Sequence, residues 1–466
     1  MSHPWPRSDA WTLTSDAAET PGAVAAERWG WLEVFAAIQI LWGVLLFLPS
    51  VQPIRMYIRA VPYVSSLGAL VYYARYPSGG PLPASSRWLL ASIALLGANL
   101  LHPETQLKAG LAQLVFQISI AAPMFWAGRL VGSHERLERL LWIVFVASLA
   151  SAAVGVLQAS WPDRFLPPEF SALARRLNPA VVGALTYYGP DGRPIVRPPG
   201  LSDLPGGAAV AGLMTVLLAA AAVSHERTSG IVRLFSVAAA AIGMTVLYLT
   251  QVRSLTVMAA IGVFMFAAIR LRQGRVMRSG WIVVGGVALV AASFVWAAAI
   301  GGKSVETRYS GLIDNGLLTT FQQSRGQFID YTFRDLLFRF PLGAGLGRWG
   351  IMTVYFNDAA RWYTPLIYVE IQITGWLLDG GVLMWLCYGG ALLSAARMAY
   401  VAAVDRSTEA LQYLAAVVLA FQLTIVALCL AGPVFNTQLG IVFWMVTGAL
   451  VGTRRALRAD VADSDD

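Results

Sequence analysis

Apolar runs of roughly twenty residues alternate with short polar connections along most of the chain. Twelve such runs are read, at 31–49, 56–74, 88–104, 109–128, 138–160, 205–223, 231–250, 254–270, 280–300, 379–397, 408–431 and 436–453. A bilayer core about 30 Å thick takes a helix of about 20 apolar residues. Runs such as 205–223 and 280–300 are continuous and rich in Ala, Leu and Val. Closed barrels also satisfy the backbone in lipid, but their strands alternate over short lengths. The pattern predicts an all-α polytopic membrane protein with twelve transmembrane helices. The second run is the weakest, because Arg55 and Arg59 crowd its start.

Two connections break the rhythm, 161–204 and 301–365. The first, with Pro205 just after it, holds nine of the chain's 23 prolines, so it is expected to be a shaped, non-helical loop. The second opens with a polar stretch and then turns helical. Phe328, Ile329, Phe333, Leu336, Leu337 and Phe340 share one face of that helix, and Gln327, Asp330, Arg334, Asp335 and Arg339 the other. Such a helix lies on a membrane surface or caps a bundle. The organisation is therefore a tail (1–30), helices (31–160), a loop (161–204), helices (205–300), a large loop with an amphipathic helix (301–365), helices (366–453) and a tail (454–466). No internal repeat is visible, and neither loop is large enough for a catalytic domain of its own.

Composition sharpens this. Hydrophobic residues make up 57% and charged residues 13%, against roughly 25% charged in soluble domains, and the mean hydropathy is +0.61. A soluble enzyme, a disordered chain and a disulfide scaffold are excluded. Cys387 and Cys429 sit inside apolar runs and read as core hydrophobes. The net charge of +8 is a matter of topology before it is one of nucleic acid, and no nucleic-acid partner is expected. With both termini cytoplasmic, the short cytoplasmic loops hold sixteen arginines, while the short outer loops hold only Arg55, Arg59, Lys108 and Arg253. The positive-inside rule favours that orientation. The N-terminal thirty residues lack the basic start and nearby apolar core of a cleaved signal, so the first run reads as an uncleaved anchor.

The unusual charges lie on the predicted outer face. The two long loops carry Arg164, Arg175, Arg176, Arg193, Arg197, Lys303, Arg308, Arg325, Arg334, Arg339, Arg348 and Arg361. Long loops translocate whatever their charge. A solvated basic surface accounts for most of these side chains. Eleven of the twelve are arginine, however, and guanidinium meets phosphate oxygens with a rigid donor fork. Arg253 stands between two strongly apolar runs, in Thr250-Gln251-Val252-Arg253-Ser254. A charge there either snorkels to headgroups or faces a cavity. Glu370, in Tyr368-Val369-Glu370-Ile371-Gln372, either accepts a proton from a hydroxyl or pairs with an arginine. His3, His134 and His225 fall in cytoplasmic segments, and His102, before Pro103, is the one histidine near the outer face.

These residues resemble a family. From about 193 to 390 the chain is similar to the O-antigen ligase and Wzy-type O-antigen polymerase superfamily of bacterial inner-membrane proteins. Three blocks carry the resemblance. The first is Arg197-Pro198-Pro199-Gly200, followed by Asp203 and Pro205 ahead of a small-residue span. The second is Thr250-Gln251-Val252-Arg253-Ser254 at the opening of a span. The third is the large loop: Arg325-Gly326-Gln327-Phe328, then Pro341 to Gly347 with its alternating glycines, then Glu370-Ile371-Gln372 and Leu378-Asp379-Gly380-Gly381. Ligases of the family commonly carry a histidine at the polar start of that late span. This chain has no histidine after His225, and Glu370 takes the comparable place. Val252 and Ser254 replace Ser and Gly of the family's arginine element. The missing histidine favours a polymerase-like member.

The resemblance implies a fold like that of GT-C glycosyltransferases and a metal-independent transfer from a polyprenyl-diphosphate-linked glycan, with no cofactor. A sugar hydroxyl attacks the anomeric carbon and the diphosphate lipid leaves. Arg253 and Arg325 are expected to hold the diphosphate. Arg197, Arg348, Arg334 and Gln372 are expected to bind or orient the donor, and Glu370 to align or deprotonate the acceptor. Membrane lipids and other polysaccharide-assembly proteins are the implied partners. O-antigen, exopolysaccharide and capsule pathways all remain open, and so does a ligase that transfers the glycan to a lipid acceptor. A transporter or flippase is the competing class. It would be expected to show repeats and broken helices at mid-membrane, and the sequence shows neither. A non-catalytic assembly subunit is the third, and it would not need Arg253 and Glu370 to converge.

Overall fold

A computed structural model of the chain describes residues 30–76, 81–166, 186–202, 204, 206–226, 228–356, 367–405 and 408–464. Residues 167–185 of the proline-rich connection lie outside the described residues, as do Asp203, Pro205, Arg227, Arg361 and Arg406.

All twelve apolar runs are helical. They are α1 (Trp31–Leu41, extended as a 3-10 turn through Phe47), α2 (Arg55–Ala74), α3 (Ala84–Asn99), α4 (Leu107–Ala121, continued by α5, Pro123–Leu130), α6 (His134–Ser160), α7 (Ala208–Ser224), α8 (Gly230–Thr250), α9 (Arg253–Arg272) and α10 (Val276–Gly301). After a polar helix, α11 (Lys303–Asp314), the last three are α12 (Gln372–Val404), α13 (Glu409–Leu428) and α14 (Gln438–Ser464). Among the described residues, seven helices are long and apolar enough to cross a membrane: Leu107–Leu130, α6, α8, α9, α10, α12 and α13. Trp31–Phe47 and α7 are apolar but shorter. Among the described residues the only strands are a hairpin, Thr186–Tyr188 against Pro194–Val196. This is an all-α membrane protein.

Small residues let the helices approach. Gly212 of α7 faces Gly243 of α8, where an added Cβ would stand 2.8 Å from the Gly243 carbonyl oxygen. Close backbone contact at glycine is how helices associate where no hydrophobic drive separates protein from lipid. Helix α10 is the opposite case. Its buried stripe is Ser279, Ile282, Ser293, Ala297 and Gly301, while Trp281, Val284, Val287 and Val295 are exposed, the pattern of a helix with one face in lipid.

The connections sort to two ends. At one end Arg275 pairs with Glu226 at 2.7 Å and also with Glu409, Arg278 donates to the Ser224 carbonyl at 3.0 Å, and Arg136 pairs with Glu33 at 3.0 Å. His134, Glu226, Arg270 and Glu409 line one cleft there. These are the loops predicted to share the cytoplasmic side. At the other end Gln251 reaches Ser304 Oγ at 2.9 Å, and the Gln372 amide N–H donates to the Cys429 carbonyl at 3.0 Å. Described parts of both long connections lie at that end.

Three expectations need correction. The first connection is not wholly irregular: it starts with a helical turn, Pro162–Phe165, and contains the hairpin. The polar opening of the second is helix α11, not loop, because Tyr309 anchors it. The Tyr309 hydroxyl donates to the Leu247 carbonyl at 3.1 Å and lies 3.0 Å from Thr256 Oγ1. The amphipathic helix is present within a helical run over 317–339, but two π-helical stretches, Gln322–Gly326 and Thr332–Leu336, rephase it. Each wide π turn rotates the faces. The buried positions are therefore Thr320, Gly326, Thr332 and Leu336, while Phe333 and Phe338 stay exposed.

The tenth run also starts earlier than expected and is broken, against the expectation of no broken helix. Helix α12 begins at Gln372 and leaves helical geometry at Gly380 and Gly381. Into the break packs the glycine-rich segment 341–350. The Val382 N–H donates to the Pro341 carbonyl at 2.9 Å and the Ala344 N–H to the Leu378 carbonyl at 2.7 Å. Asp379, buried, accepts from Gln113 Nε2 and Trp349 Nε1, each at 2.6 Å. Gly381 has φ +64°, and a Cβ there would run into the Pro341 carbonyl oxygen. Gly381→Ala is therefore expected to lower the yield of monodisperse, detergent-extracted protein severalfold, read by fluorescence-detected size exclusion. Wild-type yield would show that this packing is dispensable.

Candidate functional site

The site is built from four pieces of backbone. The first is the segment Arg197–Gly206, bolted to α6. Gln158 binds the Gly200 peptide from both sides, its Oε1 accepting from the Gly200 N–H at 2.9 Å and its Nε2 donating to the Gly200 carbonyl at 3.0 Å. The Leu201 N–H donates to Ser151 Oγ at 3.0 Å. Gly200 has φ +65°, and a Cβ would lie 2.6 Å from Ser151 Oγ, so only glycine fits. The turn closes where the Gly206 N–H donates to the Arg197 carbonyl at 3.1 Å.

The second piece is the α8–α9 junction. Gln251 ends α8 in the left-handed region at φ 55°, and Arg253 is the first residue of α9. The third is α11, whose Gly302 (φ +62°) turns the chain and whose Tyr309 anchor holds neighbouring Arg308. The fourth is the π turn Gln322–Gly326, which carries Arg325.

Together they line one cleft of about 380 Å³. Arg197, Arg253, Arg308 and Arg325 all face it, with Val257, Met258, Leu312, Leu317, Leu318, Phe321 and Ala431 as an apolar wall. Burial holds the Arg197 guanidinium below the usual arginine range, partly offset by Tyr309. Arg308 is lowered by desolvation on its inner side and then by repulsion from Arg253 and Arg197. Desolvation also lowers Arg325, with Tyr368 acting against it. Among the described residues, Arg197, Arg253 and Arg308 have no carboxylate partner. Charges packed this way call for an anion.

Arg325 does have one. Its Nη1 pairs with Glu370 Oε1, and the Tyr368 hydroxyl donates to Glu370 Oε2. The structure thus brings Arg253, Arg325 and Arg197 to one cleft and ties Glu370 to its edge. It does not bring the other three there. Arg348 is buried elsewhere, donating to the Ala344 carbonyl at 3.1 Å and lying 3.7 Å from Glu104. Gln372 is buried, its Oε1 accepting from the Phe435 N–H at 2.8 Å. Arg334 is exposed on the helical run. His102 closes a turn, its Nδ1 accepting from the Glu104 N–H at 3.2 Å. Two residues went unnoticed in the sequence. Arg308 was one basic residue among twelve in the long loops, and Gln158 was one of several polar positions in an apolar span.

Compared with known proteins, the chain matches no family model and no curated protein.

Proposed function

We propose that the protein is a glycan polymerase. In this reading it joins polyprenyl-diphosphate-linked repeat units at the outer face of a bacterial inner membrane, with both termini cytoplasmic, all twelve apolar runs in the membrane and a GT-C-like arrangement. One observation carries it. One cleft is lined both by four guanidinium groups and by apolar side chains, at the end where described parts of the two long connections lie. A diphosphate with a lipid tail has both characters. Guanidinium forks suit its oxygens, and Leu317 and Leu318, both exposed, offer a surface for the tail. Negative charge develops on the diphosphate as it leaves, and donors already in position stabilise it. Glu370, paired with cleft-lining Arg325, would align the acceptor hydroxyl.

Purified protein with lipid-linked repeat units tests this. A ladder of products is expected. Transfer of one glycan to a second lipid would make it a ligase, and unconsumed donor would overturn the reading. Orientation is tested separately, in a variant lacking Cys387 and Cys429. Asn315→Cys is expected to react with an impermeant external thiol reagent and Arg275→Cys to react only after permeabilisation. The reverse pattern would reject the topology.

A further inference from the structure

We propose that the Arg325–Glu370 ion pair is a latch operated by the donor, with Tyr368 as a positioning residue. The donor's diphosphate takes the Arg325 guanidinium, and only then is the Glu370 carboxylate free for the acceptor hydroxyl. The inference rests on the diphosphate reading of the cleft.

Three observations carry it. Arg325 faces the cleft and pairs with Glu370 at once, so an anion in the cleft competes with the carboxylate for one guanidinium. Both side chains keep some contact with solvent, Arg325 at 28% and Glu370 at 22% exposure, so the pair lies between a weak surface pair and a buried one, and an anion held by further arginines can displace the carboxylate. Arg197, Arg253 and Arg308 draw an anion toward Arg325 while no described carboxylate competes for them. When Arg325 turns to the diphosphate, the Tyr368 hydroxyl still holds Glu370 Oε2. The Tyr368 ring rests on Phe328 at 5.9 Å, which steadies it.

The step then balances. The acceptor oxygen bonds to the anomeric carbon, and its proton passes to Glu370. The bond from that carbon to the phosphate oxygen breaks, and its electron pair leaves with the diphosphate. Donor therefore binds before acceptor.

Calorimetry on the full chain in detergent, with inorganic diphosphate as the probe, tests the exchange. Glu370→Gln removes the competitor and keeps the shape. It is expected to tighten diphosphate about two- to fivefold, the size of a partly exposed ion pair. In an Arg325→Gln background the same change is expected to do nothing. Equal tightening in both backgrounds would mean bulk charge rather than a latch, and no tightening in either would also overturn the latch. These outcomes leave the cleft reading standing. That reading falls, and the latch with it, if Arg253→Lys binds diphosphate as tightly as wild type. Tyr368→Phe is expected to lower kcat severalfold at unchanged donor KM. An unchanged kcat would remove Tyr368 from the device.

Discussion

Arg253→Lys is expected to reduce polymer formation by about 10²–10³-fold, the usual cost of losing one positioned donor to a charged transition state. The substitution keeps the positive charge and loses the planar fork, so it separates recognition of phosphate from general attraction. Loss of fold is not the explanation to expect. Arg253 is the first residue of α9, where the helix presents unpaired N–H groups and a cation is disfavoured by about 0.3–1 kcal/mol. Its guanidinium faces a cleft shared with three others. The position is poor for stability on both counts, which argues that the residue serves the site. Protein yield and melting temperature are expected to match wild type. Full activity in Arg253→Lys would remove the bidentate role, and a shift in KM alone would mean that the arginine binds donor equally in ground and transition states.

Where the sequence was legible, it was because lipid leaves few options. Uninterrupted apolar runs in lipid have to be helices, and seven of the described helices are long and apolar enough to cross a membrane. Arg253 stood out because a lone cation between two such runs is costly wherever it sits, and it lines the cleft. What failed was whatever depends on packing across the chain. The face of the 317–339 run followed two π turns, which no 3.6-residue period foretells. The glycines at 343, 345 and 347 are spent on close packing: at Gly345 a Cβ would lie 2.8 Å from the Thr105 backbone nitrogen. Arg348, in the same segment, is drawn away from the cleft with it. Arg308 joined the site only because Tyr309 pins α11 beneath it, a contact between residues 309 and 247 that leaves no mark in the local pattern.

Glu370→Gln carries the second large effect. The amide can still accept a hydrogen bond from Tyr368 but takes no proton. If Glu370 is the general base, kcat is expected to fall about 10²–10⁴-fold. If it only orients the acceptor, the amide keeps most of that role and the loss is small. The Arg325–Glu370 pair adds a signature that a simple structural role lacks. Losing the carboxylate frees Arg325 for the diphosphate, so donor KM is expected to drop while kcat drops far more. Destabilisation of the site would raise KM instead. The decisive strain expresses Glu370→Gln at wild-type level in place of the native gene. Short chains with accumulated lipid-linked repeats are expected. Polymer of full length would show that the acceptor hydroxyl loses its proton late, to the departing diphosphate or to water, and that the four arginines do the chemistry without a base at this position.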